Sequence, residues 1–359
     1  MKRTFSLIIF VYINFFFISC KNNQKSIPQL NTDTINILDH SEKIILDLDE
    51  KSYDTLSYIS IIDEQSIKIN DNSKIIFLSK PTSCIVDNDS IIIVDSGQNC
   101  ILTLDKSLNF GRKIGRFGRA PLEFNNPFSI AKNDFLYLVH DVSNARIQIL
   151  DSKLKYISSV PTSSMPFTSN FCITKNNVYL PNQDLTKIDI YTITKSNHPL
   201  VYHSTVSFPK RTSGFKLHLL NTMKFTQIDD STLCFYYISF PDLIFTDLLG
   251  RTKSVLEFNS AEIKHFQKDF YDEEQGGIKI LIQDIKVSGN LIFVAMGQRI
   301  LILEKNGKYI SLKKKYIIKS KECIVRELNI YENNIYICDW SSSKIFCYSI
   351  DNNKKEGLK

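Results

Sequence analysis

Six histidines (His40, His140, His198, His203, His218 and His265) are the side chains best suited to proton transfer or metal binding near neutral pH. A three-histidine metal site on a repeated scaffold needs one histidine at like positions of separate units. Only His140, beside Asp141, lies in a recurring motif, and no other unit carries a histidine at the matching place. Eight cysteines include no Cys-x-x-Cys spacing, which removes the usual zinc and redox motifs. Seven of them (Cys84, Cys100, Cys172, Cys234, Cys323, Cys338 and Cys347) follow Cys20, mostly inside apolar runs where a thiol is a small buried hydrophobe. Cys338 and Cys347 flank one predicted hairpin, and a bridge between them stays open.

Arg112, Lys113, Arg116 and Arg119 concentrate positive charge, and arginine offers a planar donor fork suited to carboxylate or phosphate. Trp340, the only tryptophan, has a face on which a sugar or aromatic ligand could stack. The ordinary alternatives are a solvated loop for the arginines and packing against a neighbouring unit for Trp340. The Gly115–Gly118 segment (GRFG) lacks the Gly-Lys-Ser/Thr ending and following helix of a phosphate loop. Lys313, Lys314 and Lys315 fall in a predicted outer strand and read as a solvated run protecting an edge. No catalytic residue, metal ligand or cofactor is assigned from these patterns.

The elements that must position these residues are strands. The chain of 359 residues holds 50 Ile, 24 Phe and 16 Tyr but only 5 Ala, a composition that fits pleated sheets far better than helices. Two segments align without a gap: IIIVDSGQNCILTLDKSLNF (91–110) and YLVHDVSNARIQILDSKLKY (137–156). Each is an apolar run ending in Asp (Asp95, Asp141), a polar turn, and a second apolar run ending in Asp (Asp105, Asp151), the pattern of a hairpin. Asp95, Asp141 and Asp339 are expected to cap their own turns. Weaker copies continue to residue 351, with flanking apolar stretches that bring each unit to four strands. Units start near 84, 128, 171, 223, 280 and 323, roughly every 49 residues, the period of a β-propeller. The last unit runs out after three strands, so strand-like runs within 44–78 are expected to supply its outer strand.

The stretch GRFGRAPLEFNNPFSIAKNDFLYLVHDVSNARIQILDSK (115–153) resembles an NHL-type propeller repeat, and the whole chain resembles the six-bladed propeller lipoproteins of Bacteroidota. Gly118, Pro121, Glu123 and Phe124 stand for the Gly-Pro-Glu-Phe stretch of those proteins. The resemblance implies an all-β, six-bladed propeller closed by N-terminal strands. It also implies one face on which the loops at 96–99, 116–126, 142–146 and 340–344 gather. The ligand-binding residues expected on that face are Asn99, Arg116, Arg119, Asn144, Arg146 and Trp340.

Lys2 and Arg3 precede an apolar run from Phe5 to Ile18 that Ser19 and Cys20 close. This is the layout of an export signal, and it is shorter than the ~20 residues of a spanning helix. Phe17-Ile18-Ser19-Cys20 resembles a bacterial lipobox, with Phe17 where Leu is usual and Cys20 as the lipid-bearing residue. The expected organisation is a signal peptide at 1–19, a lipidated Cys and tether at 20–43, the propeller at 44–350 and a polar tail at 351–359. The formal charge is +6, and +4 without residues 1–19, too mild to suggest nucleic acid. Lys21, Asn22, Asn23 and Gln24 lack the acidic run that resembles a surface-export signal. The expected location is therefore the periplasmic face of the outer membrane rather than the cell surface, with the membrane touched through the lipid alone.

The function expected from the sequence is a non-catalytic binding module for a glycan, peptide or protein of the envelope or exterior. The alternative is a propeller-type lyase or lactonase with a metal in the central channel, and a third reading is an assembly scaffold. Cys20→Ala should move the protein from the membrane to the aqueous fraction and remove the lipid mass. Fractionation and intact-mass measurement check this, and a wild-type protein that already fractionates with the aqueous phase contradicts the anchor.

Overall fold

A computed structural model describes residues 42–350 apart from 50–52, 64–65, 68–76, 88–89, 163–170, 183–185, 197–198, 209–219, 221, 268–270, 273–276, 279, 308, 319–322, 324 and 340–341. Each sequence repeat forms one antiparallel sheet. Blade 1 consists of Pro81–Val86, Ile91–Asp95, Cys100–Leu104 and Phe110–Ile114. Blade 2 is Pro127–Lys132, Leu136–Asp141, Arg146–Asp151 and Tyr156–Pro161. Blade 3 is Cys172–Ile173, Asn177–Pro181, Lys187–Ile193 and Leu200–Ser207. Blade 4 is Met223–Asp229, Thr232–Tyr237, Asp242–Thr246 and Thr252–Asn259. Blade 5 is Asp284–Ser288, Leu291–Met296, Arg299–Asn306 and Tyr309–Ile317. Blade 6 has three strands of its own, Val325–Tyr331, Asn334–Asp339 and Ile345–Ser349.

The first strand of each blade touches the first strand of the next, and that of blade 6 touches that of blade 1. These six strands are the inner wall of a ring from which the sheets radiate, the arrangement of a six-bladed β-propeller. Each gap between neighbouring sheets has its own apolar core among the described residues. A middle strand is covered on both sides, so Ile91–Asp95 and Leu136–Asp141 are buried at every position. An outer strand is not, and Leu200–Ser207 leaves Val201 and Tyr202 exposed. Continuous apolar runs inside and mixed runs outside are the direct imprint of this geometry on the sequence.

The N-terminal segment crosses three blades rather than one. Glu42–Asp47 pairs in parallel with the outer strand of blade 4, from Glu42 opposite Ser254 to Asp47 opposite Asn259. Asp54–Thr55 then pairs in parallel with the outer strand of blade 5. Ser57–Ile62 pairs antiparallel with Ile345–Ser349 and takes the outer position of blade 6. Only this last pairing follows from the sequence; the first two cover edges that the repeat pattern leaves open. The strand-like run at 74–78 lies mostly outside the described residues.

The lysine run at 313–315 is corrected in the same way. Lys313 is half-exposed and paired with Glu304 at 2.9 Å, as a solvated run should be. Lys315 is 2% exposed, donates to the Leu48 carbonyl, and lies 4.5 Å from the centre of the Tyr53 ring. The N-terminal segment covers it, because blade 5 is not an open edge. The seven cysteines after Cys20 are buried free thiols. Cys338 lies opposite Ile345 and Cys347 opposite Tyr336, so the two are not a cross-strand pair.

Ile62 is 2% exposed and belongs to the core between blades 6 and 1. Ile62→Ala should cost about 3 kcal/mol of unfolding free energy, as a buried cavity does. Denaturant titration measures it; a loss near zero would mean that the N-terminal strand is not part of the cooperative ring.

Candidate functional site: the inner wall of the ring

The NHL-like segment is built around buried carboxylates. Asp141 is fully buried; its Oδ1 accepts the Asn125 N–H at 2.7 Å, and its Oδ2 accepts Arg146 Nε and Asn144 Nδ2, each at 2.8 Å. Asp95 does the same in blade 1, accepting the N–H groups of Ser79 (2.7 Å), Lys80 (3.0 Å) and Gln98 (3.0 Å). These aspartates therefore hold the chain entering their own blade as well as the turn that follows them. Asp339 is the buried counterpart in blade 6.

Three of the expected ligand residues are engaged within the fold. Arg146 donates through its terminal nitrogens to the carbonyls of Arg119 (2.8 Å), Ala120 (3.0 Å) and Glu123 (2.8 Å), clamping the Gly-Pro-Glu-Phe loop onto blade 2. Asn144 also donates to the Gly118 carbonyl, and Asn99 accepts the Asn126 N–H at 2.7 Å. Gly115, at φ +93°, lets Phe124 into the core between blades 1 and 2; a Cβ there would lie 2.5 Å from that ring. Glu123 closes the loop by accepting the N–H groups of Ala120 and Arg119, and its pKa is lowered, chiefly by the Ala120 hydrogen bond and then by Arg116. Arg116 is exposed and pairs with Glu123 at 2.9 Å. Arg119 lies in the same loop, and Trp340 lies outside the described residues.

A different set converges on the inner wall. Three inner strands carry a β-bulge at their second residue, where pairing skips Thr82 in blade 1, Phe128 in blade 2 and Arg326 in blade 6. In each, the residue before the bulge faces the buried Asp: Pro81 opposite Asp95, Pro127 opposite Asp141, Val325 opposite Asp339. A bulge re-aims its side chain. The Arg326 guanidinium carbon lies 4.2 Å from the centre of the Phe128 ring, although blade 1 separates their blades, so the contact reaches across the ring opening.

Blades 4, 5 and 6 add Lys224, Asp284, Lys286 and Glu327. Lys286 Nζ lies 3.1 Å from Glu327 Oε1 and 3.8 Å from Asp284 Oδ2. Asp284 also accepts the Leu328 N–H at 2.8 Å, and Lys224 donates to the Gln283 carbonyl. Burial works against the Lys286 ammonium, but Asp284 and Glu327 outweigh it and raise its pKa. Glu327 is raised as well, first by burial and then by Asp284, because two carboxylates share one ammonium. Lys224 is lowered by burial; Asp284 and Glu327 work against that, and Lys286 and Arg326 add a smaller repulsion. Arg326, 7% exposed, is lowered to about 10 by burial and stays cationic at neutral pH.

His140 is 1% exposed, its Nδ1 has no hydrogen-bond partner, and its ring stands edge-on to Phe171 at 6.5 Å. It belongs to the packing of blade 2. Among the described residues no three His, Cys, Asp or Glu side chains gather as a metal site, and no helix is long and apolar enough to cross a membrane.

No family model matches the chain, and no curated protein matches its sequence. Solved structures do share its architecture. Virginiamycin B lyase from Staphylococcus aureus is 11% identical with a TM-score of 0.50, over 81% of this chain and 99% of that one. A protein from Bacteroides fragilis described as exported is 11% identical with a TM-score of 0.50, over 85% of this chain and 98% of that one. The chain is a six-bladed β-propeller. At such identities the likeness is one of fold and assigns no chemistry.

Burial lowers the His140 pKa from the ordinary 6.5 to about 4. The neutral ring therefore contributes fully to stability above pH 6.5 and progressively less as the pH falls towards 4. Between pH 7 and 4.5 this residue should account for about 2 kcal/mol of lost unfolding free energy. His140→Phe should flatten the profile by that amount; an unchanged slope would mean that the ring titrates normally.

Proposed function

We propose that this protein is an exported, lipid-anchored propeller that binds an envelope or extracellular ligand without transforming it, through the inner wall of the ring. The observation that carries this reading is the convergence of Lys224, Asp284, Lys286, Arg326 and Glu327 on the inner strands of three successive blades. Taking charges out of water costs several kcal/mol per ion, and apolar residues of similar size would leave the ring as stable or more so. A fold that retains five charged groups at its centre, Asp284 and Arg326 buried and Lys224, Lys286 and Glu327 half-buried, with an arginine laid across the opening on Phe128, is built for recognition rather than for stability. The exposed Arg116–Glu123 pair on the loop face supports at most a peripheral contact. Cys20 supplies the anchor, and the periplasmic face of the outer membrane is the proposed location.

One observation favours a catalytic second reading. Glu327, its proton affinity raised by burial and by Asp284 against the pull of Lys286, has the character of a general acid for a lyase or lactonase. Ligand consumption that stops in Glu327→Gln would establish it.

Lys224→Met removes a cation that burial disfavours. The variant should unfold at the same or a higher temperature than wild type yet lose the thermal shift conferred by envelope glycans or peptides. A ligand shift that survives in Lys224→Met, with quenching of Trp340 fluorescence, would move the site to the loop face.

A further inference from the structure

We infer a second binding site, independent of the inner wall: a cavity between blades 4 and 5 that takes a free apolar α-amino acid, with the side chain inside and the charged head on Arg299 and Glu262. The cavity measures about 190 Å³. It lies where the N-terminal segment (Leu48, Asp49 and Tyr53), the helix Ala261–Gln267 and the blade 5 turn at 296–299 come together. None of the five charged groups of the inner wall is among its described lining residues.

Local structure places each wall. Ser260 starts the helix, its Oγ accepting the Ile263 N–H at 3.0 Å, and Asp49 Oδ2 ties the helix to the N-terminal segment by accepting the Ala261 N–H at 2.8 Å. Ile263 and Phe266, three residues apart, share the helix face that lines the cavity, and Glu262 stands at its mouth. In blade 5, Met296 and Arg299 lie opposite each other across the turn, so one hairpin supplies both a wall and a mouth residue. Leu48, fixed by its N–H on the Asn259 carbonyl at 2.8 Å, and Leu301 complete the apolar lining. Leu48, Ile263, Met296 and Leu301 are all buried. An apolar cavity of about 150 Å³ takes a benzene-sized molecule, so this one fits the side chain of Leu, Met or Phe.

The mouth presents both signs of charge. Arg299 pairs with Glu262 at 2.6 Å, and the two side chains are 35% and 63% exposed. The Arg299 guanidinium carbon also lies 5.3 Å from the centre of the Tyr53 ring, which Lys315 Nζ approaches at 4.5 Å. An ion pair this exposed contributes little to stability, and each partner has more donors or acceptor positions than one bond uses. A lone carboxylate on Arg299 would compete with Glu262, and a lone ammonium on Glu262 would compete with Arg299. A zwitterion with both groups on one carbon joins the pair and leaves every charge compensated.

L-Phenylalanine and L-leucine are the probes. Glycine removes the side chain, N-acetylphenylalanine the ammonium and phenylalanine amide the carboxylate; the last two also stand for the two ends of a peptide. Calorimetry on the full mature protein should show binding of at least one of the two amino acids at millimolar concentration or below. Glycine and both blocked derivatives should bind about tenfold or more weakly. Arg299→Gln and Glu262→Gln, at the exposed mouth, should each weaken binding about tenfold, and Met296→Trp, which fills the cavity, should abolish it. Circular dichroism and unfolding temperature establish that each variant is folded. Bound amino acid should also slow hydrogen exchange at the Leu48 amide, because it bridges the N-terminal segment to blade 5. A blocked derivative that binds as tightly as phenylalanine would overturn the free amino acid in favour of a peptide end. Binding unchanged in both Gln variants would overturn the site, whatever Met296→Trp does, and no response to either amino acid would overturn the inference.

Discussion

The middle strands of these sheets are apolar on both faces, and no sheet of that kind is stable with one side in water. Each needs a neighbour on either side, and the only way to give every sheet two neighbours is a closed cycle. Six cores between six sheets are the result. The cycle brings six inner strands to one centre, and a side chain there meets partners from blades far away in sequence. Val86 N–H donating to Asn329 Oδ1 at 3.2 Å, from blade 1 to blade 6, is one such meeting.

The centre is also where the apolar rule is broken. Elsewhere the buried polar groups have local duties: Asp95 and Asp141 tie loops to their own blades, and Gln148 donates to the Glu123 carbonyl at 2.7 Å. Lys286 reaches Asp284 of its own blade at 3.8 Å and Glu327 of the next at 3.1 Å, and Lys224 reaches the Gln283 carbonyl. Other contacts of this group run between blades or from Arg326 to Phe128, and burial first and their mutual charges second set the proton affinities of Lys224, Lys286 and Glu327. A network of that kind is sensitive to any charge entering it, which a wall of valines and isoleucines would not be.

The architecture was legible because it rests on local signals. The Asp-ended apolar run, the turn after it and its recurrence mark where each hairpin lies, and the six blades begin close to the positions that spacing implies. The outer strand of blade 6 could be anticipated because a missing strand leaves a gap that a nearby apolar run can fill. The parallel additions of Glu42–Asp47 and Asp54–Thr55 could not, since nothing in a strand's own residues states which edge it will join. The candidate site was hardest to see. Arg146 and Asn144 stand out in the repeat, yet they stand out because they build the loop. The signal for the inner wall was quieter: Lys224 in MKFT, Lys286 in DIKV, and Arg326 with Glu327 in VREL are charges inside short runs that otherwise read as buried strand. Their meeting depends on ring closure, which no spacing along the chain expresses.

The course of the N-terminal segment has a mechanical consequence. It lies along the rims of blades 4, 5 and 6 in that order, fixed by Lys43 on Glu257 at 2.7 Å, by Asp49 accepting the Ala261 N–H at 2.8 Å, and by Lys315 donating to Leu48. Tension applied at its leading end meets six paired residues on blade 4 first, then the short bridge on blade 5. Only after both have peeled does the load reach the strand that completes blade 6. The segment is thus a strain relief, like the collar on a cable, that lets the start of the chain be pulled while the wheel stays shut.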